Sequence, residues 1–69
     1  MAHFYIIHLS KTFNYLRANS AKPYRRKSDA IGMARTLSRI SSKPYDVWKW
    51  LDGEYYLMGV AKDGHWSNV

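Results

Sequence analysis

The fold of this 69-residue chain is decided by residues 45–66, which read YDVWKWLDGEYYLMGVAKDGHW. Two Asp-Gly pairs, Asp52-Gly53 and Asp63-Gly64, each lie between runs that are typical of strands. Asp and Gly tolerate the positive φ that both central residues of a type I′ turn need, so each pair predicts a two-residue hairpin loop. The resulting three-stranded meander has a register that pairs Trp50 with Tyr55, Trp48 with Leu57, and Ala61 with Trp66.

Strand alternation gives this meander two unlike faces. One face has all three tryptophans and, apart from Asp46 at its margin, no charge: Trp48, Trp50, Tyr55, Leu57, Gly59, Ala61 and Trp66. The other is mixed: Tyr45, Val47, Lys49, Leu51, Glu54, Tyr56, Met58, Val60, Lys62 and His65. An antiparallel sheet usually buries its more apolar face, so we expect the tryptophan face to form the core. The opposite assignment stays open, and an exposed tryptophan face would offer a stacking platform for bases.

Upstream of the meander, His3–Leu9 is rich in aromatic and β-branched residues and predicts a first strand, central because both of its faces are apolar. Residues 12–17 alternate in a way that allows a second short strand, and residues 18–23 are typical of a loop.

Residues 28–42 predict the one helix, with Ser28 as its N-cap and Pro44 beyond its end. Its apolar stripe is Ala30, Ile31, Ala34, Leu37 and Ile40. The fold class that follows is α+β, one helix packed on an antiparallel sheet of three to five strands, with residues 1–69 forming a single domain.

The composition excludes several classes of protein. The chain has no cysteine, which excludes disulfides and cysteine-based zinc sites. Its start, MAHFYIIHLS, lacks the basic region of a signal peptide, and no run approaches the roughly 18 apolar residues of a membrane span. We therefore expect a soluble, cytoplasmic protein with no membrane partner.

Positive charge is concentrated in the middle of the chain. Residues 11–43 contain nine basic residues and one acid, whereas residues 44–69 contain two basic and four acidic residues. Such asymmetry within one domain predicts a surface for a polyanion: nucleic acid, a nucleoprotein complex, an acidic protein surface or an anionic membrane. Of these four we favour nucleic acid or a nucleoprotein complex. The residues we expect to bind it are Lys22, Tyr24, Arg25, Arg26, Lys27, Arg35, Arg39 and Lys43.

A second hypothesis uses the mixed face of the sheet. Tyr45, Tyr56 and Met58 would form a protein-binding patch for an acidic host protein, with the positive charge steering the encounter. The alternative is that residues 10–27 or a second subunit cover this patch.

Catalysis is not expected. Of the five acids, only Asp46 lacks an explanation in a turn or at a helix start, and no Ser lies in a nucleophile motif. A distant third hypothesis is a nuclease that uses His3, His8 or His65. His3 and His8 lie on opposite faces of a strand, so we expect no metal and no cofactor.

Two short pieces near the ends, Tyr5-Ile6-Ile7 and Lys62-Asp63-Gly64-His65-Trp66, flank a central Ser-capped, Ala-containing helix. This layout resembles that of small phage-encoded anti-CRISPR proteins of the type I-F inhibitor group. The resemblance implies a single compact domain that binds a CRISPR surveillance complex, as some members do at its nucleic-acid-facing surface. The basic stretch 11–27 departs from that layout, and the resemblance assigns no functional residue. We expect a non-enzymatic phage or mobile-element protein that binds nucleic acid or a nucleoprotein complex to regulate or inhibit it.

Overall fold

A computed structural model describes residues 3–69, which form two helices and four strands. In chain order these are β1 (His3–Leu9), α1 (Tyr15–Ser20), α2 (Lys27–Ser41), β2 (Tyr45–Leu51), β3 (Glu54–Lys62) and β4 (His65–Asn68). The strands form one antiparallel sheet in the order β1-β2-β3-β4, and α2 packs across all four. The predicted α+β class is confirmed.

Both predicted hairpins are present. Asp52 and Gly53 have φ of 50° and 86°, and Asp63 and Gly64 have φ of 51° and 82°. These positive values at both central positions are those of a type I′ turn. The ladder contains every pair that the register predicted: Trp50 with Tyr55, Trp48 with Leu57, and Ala61 with Trp66.

The predicted division of the two faces is wrong beyond Met58. Trp48 pairs with Leu57 but Val47 pairs with Gly59, so the β2–β3 ladder skips Met58 in a β-bulge. One extra residue reverses the alternation, which moves Gly59, Ala61 and Trp66 to the face of Tyr45 and Val47. Helix α2 covers this combined face, so the expectation that the face of Trp48 and Trp50 forms the core is wrong, and these two side chains are half-buried on the opposite face.

Small side chains let α2 lie close to the sheet. Ala30 and Ala34 are fully buried and pack with Tyr5, Val47 and Ala61 in one cluster. Close approach of a helix through alanines suits a chain that is too short to build a thick core.

The expected apolar stripe of α2 is wrong at Ile40, which is 76% exposed. Ser38 is buried there instead. Its Oγ donates to the Arg35 carbonyl oxygen at 2.8 Å and accepts from the Gly64 N–H at 2.9 Å. A fully paired hydroxyl can replace an apolar side chain in a core because its desolvation is offset.

The expected second strand over residues 12–17 is also wrong, because α1 begins at Tyr15. Its N-cap is Asn14, whose Oδ1 accepts from the N–H groups of Leu16 at 2.8 Å and Arg17 at 3.3 Å. The Asn14 side chain accepts from two backbone N–H groups in the first turn of a helix, and in a strand these groups would have to pair with a neighbouring strand. Helix α1 continues to Ser20, so the predicted loop is shorter than expected.

Strand β1 lies at an edge of the sheet, not at its centre. Tyr24 forms a single bridge on its outer side, where Tyr5 and Tyr24 exchange two backbone hydrogen bonds of 2.8 Å. An edge strand can have apolar residues on both faces here because both faces of β1 are covered. Helix α2 packs against one face, and Phe13 contacts His8 on the other.

The ends of α2 differ slightly from the prediction. The helix begins at Lys27 with Arg26 as its N-cap, two residues before the expected N-cap Ser28. It ends at Ser41, where Ser42 adopts the left-handed conformation with φ of 58°. Within residues 3–69, neither helix has the length and apolarity needed to cross a bilayer.

Candidate nucleic-acid interface

The segment before α2 and the first turns of that helix enclose an open groove of about 720 Å³. Four of the predicted nucleic-acid-binding residues line it: Lys22, Tyr24, Arg25 and Arg26. From α2, Gly32, Met33 and Thr36 form the facing wall. The sequence therefore identified one wall of the groove, and the structure supplies the other.

Backbone pairing holds the basic wall in place. The two hydrogen bonds between Tyr24 and Tyr5 fix residue 24 against the outer edge of β1, and the half-buried Tyr24 ring packs against the core. The Lys22 ammonium lies 5.3 Å from the centre of that ring, a cation–π distance. Lys22 precedes this anchored tyrosine and Arg25 and Arg26 follow it, and all three basic side chains are exposed.

The electrostatics of the groove favour an anion. Asp29 is the only acid among the described residues that line it, against Lys22, Arg25 and Arg26. The N-cap Arg26 makes no side-chain hydrogen bond to the first turn of α2 within the described chain. The first backbone N–H groups of a helix are unpaired in the helix itself and carry its positive dipole end, so they add to the positive potential.

The remaining predicted residues lie elsewhere on α2. Lys27 is exposed on its first turn, next to the groove. Arg35 and Arg39 face the β3–β4 turn, where Arg35 Nε donates to the Gly64 carbonyl oxygen at 2.8 Å and the Arg39 stem passes beside Gly64. With a rise of 1.5 Å per residue, they lie about 13 and 20 Å along the axis from Arg26.

Lys43 lies just beyond the C-terminal end of α2 and is exposed. The structure thus brings five of the eight residues together at the start of α2. The other three lie apart from the groove, Arg35 and Arg39 on the flank of the same helix and Lys43 beyond its C-terminal end.

The predicted protein-binding residues do not form one exposed patch. Tyr45 and Met58 are half-buried against the core that α2 covers. Tyr56 is 46% exposed, and its hydroxyl donates to Glu54 Oε2 at 3.1 Å. This hydrogen bond to a carboxylate raises the pKa of the Tyr56 phenol. Helix α2 therefore covers the sheet face that contains Tyr45 and Met58.

An exposed aromatic surface occurs instead on α1. Tyr15 is 63% exposed and Leu16 is 80% exposed. The Tyr15 ring lies 5.3 Å from Phe13 and 5.9 Å from Tyr55, centre to centre. The strand interpretation of residues 12–17 missed this surface, and the Asn14 cap was the signal that could have revealed it.

The histidines are not grouped for catalysis or metal binding. No three His, Asp or Glu side chains within residues 3–69 are arranged to hold a metal ion. His8 is 7% exposed beneath Phe13, and burial lowers its pKa, as does nearby Arg17, while Asp46 acts in the opposite direction. His3 and His65 are exposed and lie on different strands.

No protein-family model matches the sequence, and comparisons with curated proteins and with solved structures give no significant match. The case for a function rests on the geometry and charge of the groove.

Proposed function

We propose that this chain is a small non-enzymatic protein of phage or mobile-element type that binds nucleic acid, alone or within a nucleoprotein complex, and regulates or inhibits its target. The observation that carries the proposal is the groove at the start of α2, where Lys22, Arg25 and Arg26 surround Tyr24. The resemblance to type I-F anti-CRISPR proteins makes a CRISPR surveillance complex one candidate target.

Phosphate is the group that this charge arrangement suits best. Arginine guanidinium groups bind phosphate oxygens through two parallel hydrogen bonds, and the backbone N–H groups at the start of α2 add further donors. Each neutralised phosphate releases counterions, so binding should weaken steeply as salt rises.

The apolar part of the groove favours a single strand over a duplex. Pro23, Tyr24 and Met33 lie among the cations, and Met33 is 41% exposed. A duplex presents phosphates and sugars to a surface of this kind, because its base faces are stacked inside. An unpaired base can place its flat face against Tyr24 or Met33 while its phosphates contact the arginines.

Arg35, Arg39 and Lys43 would extend this contact. Helix α2 has 15 residues and is about 22 Å long, so one strand of several nucleotides can run from the groove toward its far end. Arg35 keeps a structural bond to Gly64, and this makes its contribution to binding smaller than those of Arg25 and Arg26.

Fluorescence anisotropy with labelled single strands and duplexes of about 12 nucleotides tests the proposal. We expect the single strands, DNA or RNA, to bind more tightly at about 50 mM salt and to lose most of that affinity by about 200 mM. In an Arg25→Gln/Arg26→Gln variant, the slope of log K against log salt should become shallower by about 1.4.

A matched control keeps the net charge change the same. Lys11→Gln/Lys62→Gln removes two exposed charges that do not line the groove. Equal losses of affinity in the two variants would mean that binding depends only on net charge and not on the groove. No binding at low salt would exclude direct recognition of nucleic acid.

A second candidate function is that of a protein–protein inhibitor of an acidic partner, and the exposure of Tyr15 and Leu16 supports it. Under this alternative the aromatic contact surface is α1 in place of the three residues predicted on the sheet. A Tyr15→Ser/Leu16→Ser variant would then lose capture of a partner from nuclease-treated host extract, while Arg25→Gln/Arg26→Gln would only slow it. The reverse pattern supports the nucleic-acid proposal.

A further inference from the structure

Three buried polar atoms on the sheet face opposite α2 have no hydrogen-bond partner among residues 3–69: His8 Nε2, Asp46 Oδ1 and Trp48 Nε1. His8 is 7% exposed and Asp46 is 6% exposed, so bulk water does not solvate these side chains freely. Buried polar groups in folded proteins almost always find a partner, and a cluster of exceptions requires a physical explanation.

The three side chains form a cluster of neighbours on one face of the sheet. His8 and Asp46 are directly opposite each other in the β1–β2 ladder, and Trp48 follows two residues later on the same face. The Phe13 ring packs on this cluster, with its centre 5.3 Å from that of His8 and 4.2 Å from that of Trp48. Asn14, the N-cap of α1, follows Phe13, and Ala18 is the buried residue of that helix.

The hydrogen-bonding capacities of the three atoms complement one another. The Asp46 carboxylate oxygen accepts, the Trp48 indole N–H donates, and His8 Nε2 does either, depending on its tautomer. A molecule with two donors and two acceptors can satisfy all three at once. Water is the smallest molecule that does so, and it can adapt to either His8 tautomer.

Charge argues for a neutral occupant. Arg17 acts on His8 from the α1 side, which disfavours a cation, and the Asp46 carboxylate disfavours an anion. We propose that His8, Asp46 and Trp48 form an internal binding site for one water molecule beneath Phe13, which links β1, β2 and the segment that leads into α1. This site lies on the face away from the groove and does not depend on the proposed function.

Water-selective nuclear magnetic resonance on the unmodified protein tests this site. The Trp48 indole proton should exchange slowly with solvent and still show a cross-relaxation peak at the water frequency, with the sign of a long-lived bound molecule. Trp66 is the internal control, because its indole N–H donates to Asn68 Oδ1 at 2.9 Å on the exposed surface and should exchange quickly. The Trp48 signal is assigned from its contacts to the Phe13 ring, or by its loss in Trp48→Phe.

Two results would overturn the proposal. One is a protected Trp48 indole proton with no water peak, which would mean that Asp46 or His8 accepts its hydrogen bond directly. The other is exchange as fast as that of Trp66, which would mean that the cluster is open to solvent. A crystal structure with one water within about 3 Å of all three atoms would support the site, and a direct Trp48–Asp46 bond there would exclude it.

Discussion

The hydroxyl of Ser38 accepts a hydrogen bond from the Gly64 N–H at 2.9 Å and so ties the middle of α2 to the β3–β4 turn. Both ends of this bond are buried. We expect Ser38→Ala to lower the free energy of unfolding by about 1–3 kcal/mol, because it leaves the Gly64 donor unpaired. Chemical denaturation measures the loss. Ser41→Ala is the matched control, since Ser41 is exposed on the same helix, and an equal loss there would contradict the assigned role of Ser38.

Two glycines should respond to alanine with opposite signs. A Cβ at Gly59 would collide with the Ser67 carbonyl oxygen and with the Trp66 indole, whereas a Cβ at Gly32 meets no described atom within 4 Å. Gly59→Ala should therefore lower the free energy of unfolding by about 2 kcal/mol or more. Gly32→Ala should raise it by about 0.5–1 kcal/mol, because alanine is the better helix former. Thermal unfolding of both variants checks the pair, and a neutral Gly59→Ala would refute the close packing of Trp66 over β3.

Stability should fall on acidification through His8. Burial and Arg17 lower its pKa in the folded protein below the ordinary value of 6.5, so the unfolded chain binds the proton more readily. The free energy of unfolding then decreases as the pH drops below about 6.5, by at most about 1.4 kcal/mol per pH unit from this group, and levels off below the folded-state pKa.

The comparison of variants isolates the contribution of His8. In His8→Gln the slope of stability against pH between about 7 and 5 should become shallower than in the unmodified protein. Parallel curves for wild type and His8→Gln would mean that His8 does not titrate in this range.

The two arginine pairs of the predicted interface should separate stability from binding. Arg35→Gln/Arg39→Gln removes the 2.8 Å bond from Arg35 Nε to Gly64 and should lower the free energy of unfolding by about 1 kcal/mol. Arg25→Gln/Arg26→Gln should change it by less than about 0.5 kcal/mol, because both side chains are exposed. Oligonucleotide affinity should show the opposite order, with the larger loss in Arg25→Gln/Arg26→Gln. The same order in both measurements would contradict the division between groove and flank.

The parts of the fold that were predictable are those with local causes. Each Asp-Gly pair determines its own turn, and Pro44 lies within a few residues of the C-terminal end of α2, which it helps to define. The only local mark of the bulge at Met58 is Gly59, which fits a bulge and a close approach of Trp66 equally well, and this bulge moves Ala61 and Trp66 to the other face. Ser38 is buried in place of Ile40 because of Gly64, a residue 26 positions away.

The candidate site divides in the same way. Lys22, Arg25 and Arg26 are neighbours in sequence, so their proximity follows from the chain. The opposing wall with Met33 depends on the pairing of Tyr24 with Tyr5, and the separation of Arg35 from the groove depends on how α2 crosses the β3–β4 turn. Both features depend on contacts between residues that are far apart in the sequence, and the spacing of residues along the chain does not reveal such contacts.

The central claim is that the groove at the start of α2 is the surface that meets nucleic acid. Its most direct test is to follow the backbone amide resonances of the ¹⁵N-labelled protein while a single-stranded oligonucleotide of about 12 nucleotides is added at about 50 mM salt. We predict that the largest shifts occur at residues 24–33, with smaller ones at Arg35 and Arg39. Shifts confined to Tyr15, Leu16 and their neighbours, or no shifts at all, would contradict the claim.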